Sequence, residues 1–312
     1  MNSLPLLVMR ALLASRLGAA PLEVQTSKAA ETGTFRLGYS SETISDASDE
    51  AAVVTHALVQ RLSTRMSGAY QPGTRSFSEI GALKAALKAH ELDVVIVTAD
   101  EYARLDGEVN LDPALSAVVR EADSFTIGVL VRRDSEISSL EGLRGLTVLN
   151  AKDQSRRVQS VWFETELMKA GHSSSDFLAS FKETRSPSQA IMSVFFGQAS
   201  ACVVSLPTFE IASELNPQLS LQLKVIVRSP EVSRGIAAFR ADYPKASRDL
   251  AYDTMLRLHE DPEGRQILRV FRHERMVPFR VGLLESSRSL LAEHERLLAL
   301  RAPKTRPVRG AR

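Results

Sequence analysis

The residues of this chain that can do chemistry gather at the ends of apolar runs. Tyr39, Ser40 and Ser41 close FRLGYSS; Thr98 follows VVIV, with Tyr102 one helical turn on; Gln154, Ser155 and Arg156 follow TVLN; Ser188 opens a helical stretch; Ser205 ends ACVVS. All can hydrogen-bond, and most carry no charge. Helices that start at such points leave backbone N–H groups unpaired and aim the positive end of their dipole outward, which holds an anion without a metal. Each Ser or Thr taken alone is equally a plain N-cap. Their recurrence at strand ends, where doubly wound sheets place their ligands, favours binding.

Patterns for catalysis do not accompany them. The chain has no GxGxxG after a strand, no P-loop, no HExxH, no GxSxG and no CxxC. The six histidines, His56, His90, His172, His259, His273 and His294, stand apart, without metal-ligand spacing, and read as surface or helix-face residues. Asp49-Glu50 and Asp100-Glu101 are adjacent acids, which point in different directions on a helix. The single cysteine, Cys202, lies in an apolar run and reads as a buried thiol. A binding protein is expected, not an enzyme, with no cofactor and no metal.

The elements that must position these residues alternate. FRLGY reads as a strand, Leu58 and Leu62 continue a helical stripe with Val54 and Met66, EIGALKAALKAH reads as a helix, and LDVVIVT as a strand covered on both faces. SGAYQPGTRSF and VNLDPALSAVV read as connecting chain. TIGVLVRR, TVLN, FLASFKE, ACVVS and LQLKVIVRS read as strands with helices between them, and GIAAFR as one more. This β-α-β order implies a doubly wound α/β sheet that is interrupted by a second one. The boundaries expected are residues 34–127 with 228–280 for lobe 1 and 128–227 for lobe 2. Two helices broken at Asp261-Pro262 and an amphipathic helix over Leu290–Leu300 follow.

A length of 312 residues suits two lobes, and 44% hydrophobic with 24% charged residues describes an ordinary globular chain. The net charge of +2 offers no general attraction for nucleic acid, so no nucleic-acid partner is expected. Residues 1–33 read as a signal-like segment and linker: the first twenty carry no acid, hold the apolar stretches LPLLVM and ALLA, and end in small residues. Export to the periplasm is expected. Residues 281–312 read as a C-terminal helix and a basic tail, RAPKTRPVRGAR.

FRLGYSSE, DVVIVTADEY, SLEGLRGLTVLN, SQAIMSVFFGQASACVVS and VIVRSPEVSRGIAAF, in this order and spacing, resemble the substrate-binding proteins of phosphate, phosphite and phosphonate ABC transporters. The resemblance runs from about Phe35 to Phe279. It implies the type 2 periplasmic binding protein fold, two doubly wound α/β lobes joined by two crossover strands, here TIGVLVRR and LKVIVRSP. It also implies a small anionic ligand, phosphate, phosphite or phosphonate-like, closed into the cleft between lobes and handed to a membrane permease. Where such proteins carry a Ser/Thr-Gly cluster this chain has DQSRR, in which Ser155 matches in type and Arg156 or Arg157 can pair with an oxyanion. Ser188 stands where the family often has His, Ser205 where it has an acid, and Tyr102 matches its aromatic. The rival expectations are a ligand-sensing domain partnering a membrane sensor kinase and, on the same fold, an enzyme like the thiamine-pyrimidine synthases.

Overall fold

The computed structural model describes residues 34–40, 53, 56–62 and 71–301. The signal-like segment, the tail beyond Arg301, and Ser41, Val54 and Met66 lie outside these residues.

The first sheet is built around an unbroken β-branched run. Strand β1 (Thr34–Ser40) leads through helix α1, described over residues 56–62, to β2 (Gln71–Phe77), α2 (Ile80–Lys88), β3 (Val94–Val97), α3 (Ala99–Leu105) and β4 (Leu111–Val118). All four residues of β3 are buried, because the strand lies inside the sheet with helices on both faces. Each such side chain contributes about 1.5–3 kcal/mol. Leu58 and Leu62 supply the buried stripe of α1, and Leu83, Ala86 and Leu87 that of α2.

The chain then passes through β5 (Ser124–Phe125) into a second sheet. There β6 (Ile127–Arg132), β7 (Thr147–Asn150), α4 (Arg156–Lys169), α5 (Ser174–Phe177), β8 (Ser180–Glu183), α6 (Pro187–Phe195), β9 (Ala201–Ser205), α7 (Leu206–Leu215), α8 (Gln218–Gln222) and β10 (Leu223–Arg228) follow. It returns through β11 (Val232–Ser233) to β12 (Ile236–Arg240), α9 (Lys245–Leu256), α10 (Pro262–Val270), β13 (Arg275–Pro278) and α11 (Gly282–Arg301). The strand orders are β13-β4-β12-β3-β1-β2 and β10-β6-β9-β7-β8. Each sheet is mixed, with β1, β2 and β3 mutually parallel in the first and β7, β8 and β9 in the second. The two connections meet in a small antiparallel ribbon, Val232 opposite Phe125 and Ser233 opposite Ser124. TIGVLVRR and LKVIVRSP themselves supply β6 and β10, paired strands of the second sheet, while the ribbon beside them joins the lobes.

Two segments expected to be connections are strands. QPGTRSF forms β2 at the edge of its sheet, where Pro72 need not donate a ladder bond. LDPALSAV forms β4, inside the sheet; the register slips between Ala237 and Ala238, whose partners are Leu115 and Pro113, and this bulge accommodates the proline. Asp261 caps α10 by accepting from the Gly264 N–H at 2.9 Å, with Pro262 in the first turn, as the sequence implies.

A buried ion cluster fixes the central strands. Asp93, 2% exposed, accepts from the Arg36 backbone N–H at 2.9 Å, Nε at 3.0 Å and Nη2 at 2.7 Å, with Arg240 Nη1 at 3.4 Å. It ties β1, β3 and β12 at the ends remote from α3. Helix α11 packs on both α3 and α4 and so joins the lobes behind the ribbon; His294 Nδ1 lies 2.9 Å from Thr165 Oγ1 on α4, and Arg288 pairs with Asp106 just past α3.

Candidate ligand-binding cleft

A cleft of about 280 Å³ lies between the lobes. Its floor is the connecting ribbon, Phe125, Val232, Ser233, Arg234 and Gly235. One wall is the start of α3 and the other the start of α4 with Ser205, Thr208 and Ile211 from the end of β9 and α7. Arg272 and His273, from the turn between α10 and β13, close one side. Gly128 sits against the second wall: a Cβ there would lie 2.5 Å from Leu206 Cδ2, so a larger residue would push on the Leu206 side chain next to Ser205.

Both helix starts hold one of the chain's own carboxylates. In α3 the Thr98 N–H donates to Glu101 Oε2 at 3.0 Å, the Ser40 hydroxyl donates to Oε1 at 2.5 Å, and the Thr98 hydroxyl caps the Glu101 N–H at 3.4 Å. This is a complete capping box. Burial pushes the Glu101 carboxyl up from its ordinary value, against the bonds from Ser40 and Thr98. Asp100, 3% exposed, has Oδ1 at 2.8 Å from the Thr98 hydroxyl; its Oδ2 has no hydrogen-bond partner among the described residues and faces Arg157 Nε at 3.8 Å, across the cleft.

In α4 the carboxylate is Asp153. Its Oδ1 accepts from the Ser155 N–H at 2.8 Å, the Ser155 hydroxyl at 2.5 Å and the Gln159 amide at 2.9 Å. Among the described residues Oδ2 has only the Ser205 hydroxyl, at 3.5 Å. Desolvation pushes the Asp153 carboxyl up, while Ser155, Ser205 and the nearby Arg272 charge pull it down.

The cations sit elsewhere in the cleft. Arg234 donates from Nε to the Ala122 carbonyl at 3.0 Å and lies over the Phe125 ring at 5.5 Å. Its two Nη groups have no hydrogen-bond partner among the described residues. Burial lowers its pKa, opposed by Glu274, Asp123 and Asp153, yet a guanidinium stays charged at any ordinary pH. The Arg272 side chain, more exposed, is likewise without a hydrogen bond among the described residues. His273 is pushed down to about 4 by burial and by the Arg234 charge, so it lines the cleft as a neutral imidazole at pH 7. Desolvated donors fixed before the ligand arrives bind an oxyanion without reorganisation.

Of the residues expected at the site, Thr98, Gln154, Ser155 and Ser205 line the cleft. Gln154 also reaches across it, Nε2 to the Phe271 carbonyl at 3.3 Å. Ser40 and Tyr102 are buried behind the wall: Ser40 serves Glu101, and the Tyr102 hydroxyl donates to the Leu111 carbonyl at 3.2 Å, its pKa pushed up to about 12 by burial. Tyr39 is packed in the first lobe's core. Arg156 pairs with Glu183 at 2.9 Å on the outside of α4, and Ser188 is exposed in the first turn of α6, beside the lining Pro187. Asp153, Arg234 and Arg272 line the cleft without having been singled out; Asp100, read only as one of two adjacent acids, lines it too, and His273, expected on a surface or helix face, is instead a partly buried residue of the turn after α10 that lines the cleft. Asp153 stands in the DQSRR segment itself, and Arg234 just before the GIAAF strand, on the segment that must pass between the lobes; those two positions were the available signals.

Comparison with known proteins agrees with this architecture. Residues 44–281 match the family described as ABC transporter, phosphonate, periplasmic substrate-binding protein. No curated protein sequence matches the chain. Among solved structures, a Xanthomonas citri protein bound to ATP shares 19% identity at a TM-score of 0.65, covering 86% of this chain and 98% of that one. A binding-protein component of a Pseudomonas aeruginosa ABC phosphonate transporter shares 14% at 0.60, covering 88% and 91%. A Prochlorococcus marinus protein in complex with methylphosphonate shares 17% at 0.56, covering 86% and 99%. At these identities the structures establish the fold of two α/β lobes, and the family match, over most of the sequence, establishes membership. The chain belongs to the phosphonate periplasmic substrate-binding proteins of ABC transporters, a family of binding proteins and not of enzymes.

Proposed function

We propose that the ligand is a small phosphorus oxyanion with an organic substituent, phosphonate-like, held in the cleft by Arg234 and passed to the transporter's permease. The observation that carries this reading is the pair of Arg234 Nη groups, which are presented to the cleft without a partner among the described residues. A guanidinium presents parallel N–H donors that match two oxygens of a tetrahedral anion. Arg272 adds a second cation at one side, and neutral His273 adds a hydrogen-bonding group without charge. The cleft exceeds the needs of a bare tetrahedral anion. Val119, Phe125, Val158, Ile211 and Val232 give it apolar surface suited to an organic group. Methylphosphonate and ATP, bound by two of the proteins named above, both present tetrahedral phosphorus oxyanions.

Thermal melts against phosphate, phosphite, alkylphosphonates, sulfonates and carboxylates test it. A ligand at a hundred times its Kd stabilises by about 2.7 kcal/mol. Phosphonates are expected to raise the melting temperature, and Arg234→Met to abolish that rise while the unliganded protein melts within a few degrees of wild type. A panel without any phosphorus-anion shift, or an Arg234→Met variant that keeps the shift, would overturn the reading.

A further inference from the structure

The helix start that the sequence offers as an anion seat is already taken by an anion of the protein itself. Three donors at the N-terminus of α4, the Ser155 N–H, the Ser155 hydroxyl and the Gln159 amide, converge on Asp153 Oδ1 at 2.8, 2.5 and 2.9 Å. The Ser205 hydroxyl at 3.5 Å completes the set. A tetrahedral oxyanion seated there would ask for the same donors. The arrangement is held in place: Gln159 is fully buried and bonds to both Asp153 and Ser155. Asp153 Oδ2 meanwhile borders the cleft with its acceptor capacity nearly unused.

The geometry points to Asp153 as the residue that sets specificity in the second-lobe half of the cleft, acting as a built-in anion. This inference rests on Arg234 holding the ligand's phosphorus anion. Asp153 then keeps a second anionic group from the start of α4 and favours a ligand whose far end donates a hydrogen bond. The cleft is thereby divided into a cationic part at the ribbon and an accepting part at α4. Like charges brought together in a desolvated site repel, whereas a donor fills the unused acceptor capacity of Oδ2.

Two probes with the same phosphonate head and different ends separate the possibilities: 2-hydroxyethylphosphonate, which ends in a donor, and phosphonoacetate, which ends in a carboxylate, a second anionic group. Calorimetric titration of the wild type is expected to favour the hydroxyl probe by tenfold or more. Asp153→Ala should free the α4 donors, tighten phosphonoacetate by at least tenfold and weaken the hydroxyl probe. Asp153→Asn keeps the side chain's shape without the charge and should move phosphonoacetate in the same direction, which guards against a failure of the alanine variant to fold. Equal wild-type affinities, or a phosphonoacetate affinity unmoved in both variants, would overturn the inference while leaving Arg234's role standing. Arg234→Met tells the two failures apart: phosphonate binding lost there with the Asp153 preferences unmoved overturns this inference alone, and phosphonate binding kept there overturns the reading it rests on.

Discussion

The starts of α3 and α4 face one another across the cleft and solve the same problem with different consequences. Each follows a strand, each has a polar residue where helix donors need partners, and each places its own carboxylate on them. In α3 the carboxylate belongs to the helix: Glu101 is 3% exposed, and its partners Ser40 and Thr98 come from two adjoining strand ends. In α4 it precedes the helix and borders the cleft, with one oxygen almost unbonded. A carboxylate sealed behind the wall serves stability. One on the wall itself is met by the ligand.

Stability is where this contrast breaks most visibly. Glu101→Ala strands a buried Thr98 N–H and the Ser40 hydroxyl, and should cost about 2–4 kcal/mol in denaturant unfolding. Asp153→Ala leaves the buried Gln159 amide its bond to the Ser155 hydroxyl and opens the other donors towards the cleft, so it should cost less, about 1 kcal/mol. Similar losses at the two positions would erase the distinction.

Acid titration sharpens it further. The folded-state pKa of His273 is about 4, below its ordinary 6.5, so the unfolded chain takes the proton first. The associated stability is fully present above pH 6.5 and lost as pH falls towards 4, amounting to about 3 kcal/mol at most. Glu101 and Asp153 have the opposite sign: their carboxyls are raised, the folded form takes the proton first, and each adds stability as pH falls through its folded value. Stability measured from pH 7 to pH 4 should therefore fall less steeply in wild type than in Glu101→Gln, and His273→Phe should flatten the fall. An unchanged slope in His273→Phe would place the acid sensitivity elsewhere.

How far the sequence discloses this differs between framework and site. Runs such as VVIV and ACVV announce strands buried on both faces, and the ends of these runs and the segment after TVLN put Thr98, Ser205 and Ser155 beside the cleft. QPGTRSF and LDPALSAV do not announce themselves, because an edge position and a bulge permit prolines that local propensity counts against a strand. Ser40 and Tyr102 have the right position along the chain, but their side chains turn into the wall. The charged groups are hardest to read. Arg234 matters because its Nε is bonded and its Nη groups are not, and Asp153 because donors from three residues meet on it; both facts arise only when separate elements are assembled. Adjacent acids do face different ways on α3, and the consequence is a division of labour, Glu101 inward to the cap and Asp100 towards the cleft.

The finest test of the facing helix starts uses neighbours in sequence. Arg157 is 3.8 Å from Asp100 and so spans the cleft from α4 to α3, whereas Arg156, one residue earlier, turns outward to Glu183. An ion pair that joins the lobes favours the closed form, and a ligand that needs closure binds more weakly in proportion to the closed population lost. Arg157→Gln should therefore weaken ligand binding about three- to tenfold, with little effect on unfolding, since closure is not folding. Arg156→Gln removes a partly exposed pair of small energetic value and should leave affinity within about twofold. Equal effects in titration calorimetry would mean that the Asp100–Arg157 pair does not couple the two helix starts. Unequal effects would show that the two helix starts, each satisfied by its own acid, still act on one another through the Asp100–Arg157 pair.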